Sequence, residues 1–156
     1  MINRWLPHGG GSHKPRGIIV HAMAEYIEYN DGVLHAADFL EKVGLSAHIL
    51  VEPDGTLIRC RRDNEIAWHA KGHNYQTVGI EVLLPGQHNY ASFRSGIDSP
   101  DWVAPIQYDA TIRQCRQWVD DWPIEWIEQH SVIDPARKYD PGKGFPWSKF
   151  ISEVWL

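Results

Sequence analysis

The sequence has no apolar run long enough to cross a bilayer, so membrane insertion is not expected. Cysteine is scarce. Cys60 and Cys115 stand far apart and neither belongs to a C-x-x-C pair, which argues against a disulfide or cysteine-ligated metal and for two buried thiols. Positive charge is not in excess either: 15 Lys and Arg face 20 Asp and Glu, for a net charge of -5. With no basic patch, DNA and RNA are not expected as partners. The H-E-x-x-H helix of metallopeptidases is missing, which counts against that class of zinc hydrolase. No internal repeat is present.

What remains is the composition of a globular module. Hydrophobic residues make up 43% and there are eight Trp, while 156 residues suit one sizeable core. A single domain over residues 1–156 is expected. Residues 1–16, rich in Gly, Pro and His, read as an irregular arm over the body or partly mobile, with His8 and His13 as surface histidines. The arm lacks the apolar h-region of a signal peptide, so cytoplasmic synthesis is expected. A monomer is the expected state.

Gly17 to His21 reads as a strand buried on both faces, ending in a histidine. Val33 to Val43 carries apolar residues at helical intervals with Gly44 as C-cap, and His35 on it is expected to face solvent. Ala47–Glu52 and Thr56–Arg61 form a hairpin about Pro53-Asp54-Gly55. Residues 67–74 read as a loop. Val78 to Leu83 is a strand in which Glu81 interrupts an apolar run. A carboxylate there is costly unless paired or used, so Glu81 is either a tuned general base or a residue turned outward from an edge strand. Pro85 to Pro105 lacks periodicity and reads as a long binding loop or lid. Tyr108 to Trp122 is an amphipathic helix stopped by Pro123, Ile124 to Ile127 a short strand, and Trp147 to Leu156 a terminal helix.

The densest chemistry lies in Gln129 to Trp147, QHSVIDPARKYDPGKGFPW, which holds His130, Lys138 and Asp140 within eleven residues. Its Pro and Gly content forbids regular helix or central strand and lowers the entropy lost on ordering. An imidazole and a carboxylate brought together there are two of the three protein ligands of an open tetrahedral zinc site. His21, at a strand end, is the best candidate for the third.

The ordered blocks IIVH, SAHILVEPDGT, AWHAKG, VGIEV and HSVIDPARKYDPG resemble the zinc-dependent N-acetylmuramoyl-L-alanine amidases of the amidase-2 group. That group takes in phage endolysins, AmpD-type recycling enzymes and peptidoglycan recognition proteins. The resemblance covers about residues 17–147. It implies an α/β fold with a central mixed sheet flanked by helices, and a Zn2+ site of His21, His130 and Asp140 at one rim of that sheet. It further implies Glu81 as general base, and Lys138, two residues before the last ligand, beside the developing oxyanion. His48 is placed near the metal pocket without being a ligand, as substrate contact or core histidine, and His69 on a wall of the substrate groove.

The implied reaction is hydrolysis of the bond between N-acetylmuramic acid and L-alanine in peptidoglycan or a muropeptide. Ala47 stands where small phage enzymes often carry tyrosine, and Glu81 is usually absent from them, so this chain follows the AmpD-like version. The expected role is a phage or prophage endolysin released by a holin. The alternatives are a cytosolic muropeptide-recycling amidase and a non-catalytic peptidoglycan-binding module, the last opposed by the three filled ligand positions.

Overall fold

The computed structural model describes residues 1–156. Its centre is a pair of long parallel strands, β3 (Gly17–Tyr29) and β8 (Thr77–His88). Around them lie β1 (Ile2–Asn3), β4 (Gly32–His35), β5 (Ile49–Val51), β6 (Leu57–Arg59) and β9 (Trp126–Gln129), giving a seven-stranded sheet in the order β1-β6-β5-β8-β3-β4, with β9 also on β3. Both pairing senses occur: β3 runs parallel to β8 and β9 and antiparallel to β4, while β5 and β6 are antiparallel. A mixed central sheet with helices on its faces is therefore what the chain forms.

The period of two along β3 and β8 sorts their side chains between two cores. Ile18, Val20 and Ala22 share a face with Val78, Ile80 and Val82, and this face is covered by α3 (Pro105–Asp121) and α5 (Trp147–Val154) through Trp118 and Phe150. Full burial of such side chains contributes about 1.5–3 kcal/mol each. The opposite face carries His21 and Met23 beside Glu81 and Leu83, covered by α1 (Ala36–Lys42) through Ala36, Ala37 and Leu40. One face of the sheet is dry core; the other holds the polar residues.

Several elements depart from the sequence reading. The helix begins at Ala36, not Val33, because Val33 and Leu34 pair with Glu28 and Ile27 in the β3–β4 hairpin. His35 does not face solvent alone: its Nδ1 caps the helix by accepting from Ala37 N, and its Nε2 lies 2.7 Å from Glu52 Oε1. The segment 85–105 is no structureless lid, since α2 (Tyr90–Ile97) starts there on an Asn89/Ser92 capping box. The His-Asp loop also contains one helical turn, α4 (His130–Ile133), which fits because its residues precede the first proline of the loop. The N-terminal arm is held in place: β1 pairs with β6, and β2 (Gly9–Ser12) pairs with β7 (Glu65–Ala67). His13 lies within hydrogen-bond distance of the Tyr75 and Asp63 carbonyls. The hairpin turn forms as read, with Gly55 at φ +87.

Asp63 ties this periphery to α3. Its carboxylate accepts from Trp118 Nε1 (2.8 Å) and Trp122 Nε1 (3.3 Å) and pairs with Arg59. Burial raises its pKa, but Arg59 and the two indoles outweigh that and leave it below the usual 3.8. A depressed carboxylate stabilises the fold above its unfolded pKa and loses that contribution as pH falls through the folded value. Asp63→Asn is thus expected to lower stability to urea at neutral pH by about 1–3 kcal/mol, with the gap from wild type closing once pH drops below about 3.8. A pH-independent gap would contradict the assignment.

Candidate active site

His21 projects from within β3, which runs on to Tyr29 instead of ending at the histidine as the sequence reading had it; the pairing with β9 stops one residue before it, at Val20 opposite Gln129. His130 follows β9 directly as the first residue of α4. Asp140 returns to it because Ser131 N donates to Asp140 O at 3.0 Å, and Lys138 N and Asp134 N donate within the same turn to Asp134 O and His130 O. The loop is thereby pinned by its own backbone. Ala22 N donates to Asp140 Oδ2 at 3.3 Å.

The result is a tight triangle. His21 Nδ1 lies 2.9 Å from His130 Nδ1, and both nitrogens lie 3.3 Å from Asp140 Oδ2. All three residues are buried. Two imidazole nitrogens and a carboxylate oxygen converge on one point, an arrangement that a cation would bridge. The two nitrogen–oxygen distances match a tetrahedral centre, whose bonds of ~2.0–2.1 Å place its donors ~3.3 Å apart, and the nitrogen–nitrogen distance is shorter. Burial, partly offset by Asp140, lowers the His21 pKa to about 4, so its ring is neutral and able to ligate. Burial also opposes the charge on Asp140, but its close contacts with His130 and His21 prevail and hold its carboxyl well below the usual range. The donor set suits a divalent metal.

Glu81 sits opposite His21 in the β3–β8 register and is 8% exposed, so the outward-facing alternative does not hold. Its Oε1 has no hydrogen-bond partner. Burial first, and then the charge of Asp140, push its pKa well above the ordinary value, with Lys138 opposing. Glu81, Lys138 and the three candidate ligands line one cavity of about 160 Å³, whose wall includes Trp68 and His69.

The other two histidines are built into the frame. His48 is fully buried, accepts from Gly79 N at 3.0 Å and reaches Glu65 O at 2.7 Å, so no nitrogen remains for a substrate. The expectation of substrate contact at His48 gives way to its role as a core histidine. His69 borders the cavity, with Nδ1 2.8 Å from His21 Nε2 and Nε2 3.1 Å from Thr77 Oγ1. The sequence reading missed Thr77. It also missed Arg94, whose guanidinium lies 3.4 Å from the Tyr139 ring centre at the edge of a second cavity that Lys138 shares. A cation four residues into an unrecognised helix gave no signal.

Comparison with known proteins agrees with this geometry. The family Amidase_2, described as N-acetylmuramoyl-L-alanine amidase, matches residues 11–143. N-acetylmuramoyl-L-alanine amidase A of Achromobacter lyticus is 32% identical over 127 residues, covering 70% of this chain and 68% of that protein. The 1,6-anhydro-N-acetylmuramyl-L-alanine amidase AmpD of Salmonella typhimurium LT2 is 30% identical over 118 residues, 72% of this chain and 58% of AmpD. The match thus spans about two thirds of the first relative and under two thirds of the second. In fold, a selenomethionine AmpD derivative superposes with TM-score 0.76 at 22% identity over 98% of this chain and 93% of its own. The amidase LysC from Clostridium intestinale URNW gives 0.73 at 19% identity over 99% and 97%. The chain belongs to the N-acetylmuramoyl-L-alanine amidase family, Amidase_2.

Proposed function

We propose that this chain is a zinc-dependent amidase that hydrolyses the bond between N-acetylmuramic acid and L-alanine in peptidoglycan, as a phage or prophage endolysin. The observation that carries the reading is the triangle of His21 Nδ1, His130 Nδ1 and Asp140 Oδ2 beside a buried, unpartnered Glu81. Two imidazoles and one carboxylate are a donor set for zinc with a fourth position open. When bound there, zinc supplies a water acidified to a pKa of about 7 and polarises a carbonyl.

The chain's own residues handle protons and charge. In the net reaction, water oxygen bonds to the lactyl carbonyl carbon, the carbon–nitrogen bond breaks, and the nitrogen of L-alanine gains a proton. Glu81 takes the proton from the attacking water and returns it to the leaving nitrogen. Its raised pKa suits both halves of that exchange, because a strongly acidic carboxyl would be a poor base. Lys138 places an ammonium group where negative charge grows on the carbonyl oxygen. Space for a substrate extends on both sides: an apolar cavity of about 320 Å³ shares Met23 and Phe39 with the site, and one of about 440 Å³ brings Lys71 and Arg137 beside Lys138. Carboxylates of a stem peptide suit the second.

A second reading, cytosolic hydrolysis of 1,6-anhydro-muropeptides, is favoured by Glu81 within VGIEV and by the 30% identity to AmpD. Digestion of intact sacculi and of soluble anhydro-muropeptides by the purified chain separates the two roles. The proposal expects new lactyl carboxylates and L-alanine amines from sacculi, lost with chelator, restored by zinc and absent in Asp140→Ala. Cleavage of anhydro-muropeptides alone would replace lysis with recycling, and cleavage of neither would remove catalysis from the account.

Two variants test the residue roles. Glu81→Gln is expected to lower kcat by about 10²–10⁴-fold. Because the folded state holds this proton more tightly, the native carboxyl loses stability relative to the unfolded chain as pH rises above about 4.5. Urea denaturation of the metal-free chain should therefore show Glu81→Gln more stable than wild type at neutral pH, by a margin that shrinks on acidification. Lys138→Ala should lower kcat by about 10²–10³-fold while leaving zinc content unchanged. Equal activity in either variant, read by product release, would discard that residue's role.

A further inference from the structure

We infer that His69 is a positioning residue for the metal ligand His21, the middle link of a directed hydrogen-bond chain from the ligand to the backbone carbonyl of His73. The inference rests on the reading of His21 Nδ1 as a metal donor.

The proton pattern can be worked out from the far end. Thr77 Oγ1 lies 2.7 Å from His73 O, and a carbonyl only accepts, so the hydroxyl proton points to His73. Thr77 Oγ1 then offers only lone pairs to His69 Nε2, 3.1 Å away, and that nitrogen carries the hydrogen. On the reading that His21 Nδ1 is a metal donor, the single hydrogen of the His21 ring sits on Nε2, and its partner there is the facing nitrogen of His69. His69 Nδ1 is therefore bare and accepts from His21 Nε2 at 2.8 Å. With its hydrogen fixed on Nε2, His21 presents a lone pair at Nδ1, the atom that faces His130 Nδ1 and Asp140 Oδ2.

The fold makes room for this arrangement. His69 meets His21 edge to face, with ring centres 5.0 Å apart and planes at 79°. Its ring occupies the space over Gly79, where any Cβ would overlap Nδ1. Gly79 lies mid-strand, opposite Ile19 in the β3–β8 register, a position where glycine weakens a strand and commonly marks a close approach. The backbone of the loop is fixed as well: Asn74 Oδ1 accepts from both His69 N (3.0 Å) and Ala70 N (2.7 Å). Ligating histidines usually donate their second N–H to a carboxylate, carbonyl or water. Here a neutral imidazole takes that place, orienting the ligand without adding negative charge to a site that already holds Asp140 and Glu81.

The test is zinc affinity of the full chain, stripped with chelator and titrated against a chromophoric competitor, together with ¹⁵N NMR of the His21 tautomer in the metal-free state. His69→Leu should bind zinc about 10–100-fold more weakly. His69→Asn places an amide oxygen close to the position of Nδ1 and should recover most of that loss. Thr77→Val keeps the ring but removes its anchor, so affinity should fall less and the His21 signal should shift toward a tautomer mixture. Wild-type affinity in His69→Leu, or equal losses in the Leu and Asn variants, would overturn the inference. If His69→Leu does not fold, wild-type affinity and tautomer in Thr77→Val would overturn it instead. Failure of the wild type to take up zinc would sink the metal-centre reading itself, a different result from wild-type binding that is insensitive to residue 69.

Discussion

The site depends on an interruption in one sheet edge. Along its outer edge β3 is paired twice, by β9 over Gly17–Val20 and by β4 over Tyr26–Tyr29, and residues 21–25 between them have no strand partner there. Buried backbone groups in such a gap need partners from elsewhere. Asp140 supplies one by accepting from Ala22 N, and its own carbonyl is held by Ser131 N. A loop that fills the gap brings a carboxylate to the strand position where His21 points, and β9 delivers His130 to the same place. Three distant stretches of sequence meet because a parallel strand stops four residues in.

What the gap gathers is costly to fold. His21, His130, Asp140 and Glu81 are all buried, on the sheet face opposite the main core. Glu81 keeps an unpartnered oxygen, and the Nδ1 atoms of His21 and His130 approach each other beside a single carboxylate oxygen. Such groups destabilise a fold unless something offsets them. The offset lies on the other face, where Trp118 and Phe150 are fully buried under strands of Val and Ile. Division of labour between the two faces follows from the period of two alone, since Val20 and Ile80 cannot share a side with His21 and Glu81.

Much of this was legible in the sequence, because the signals were local or chemically costly. The apolar run into His21, the interruption at Glu81, the PDG turn and the proline-rich His-Asp loop each state their conformation in a few residues, and the family blocks supplied their common purpose. Elements that depend on tertiary pairing were not legible. Val33 and Leu34 fit a helical pattern as well as a strand, and only the hairpin partner on β3 decides between them. The α2 helix hid behind Ser and Gly, with Asn89 and Ser92 as its sole start signal. The N-terminal arm looked irregular because its order comes from β6 and β7. His48 and His69 were placed near the pocket, but which side of each ring is free depends on Gly79, Glu65 and Thr77, none of which a linear reading associates with them.

The central claim is that His21, His130 and Asp140 hold one metal ion. X-ray absorption at the zinc edge of the chelator-stripped chain, reloaded with one equivalent of zinc, tests it most directly. The account predicts a first shell of about four nitrogen and oxygen atoms at ~2.0–2.1 Å, with outer-shell scattering from two imidazoles and no sulfur. A sulfur shell, a single imidazole, or a shell unchanged by Asp140→Ala would contradict it.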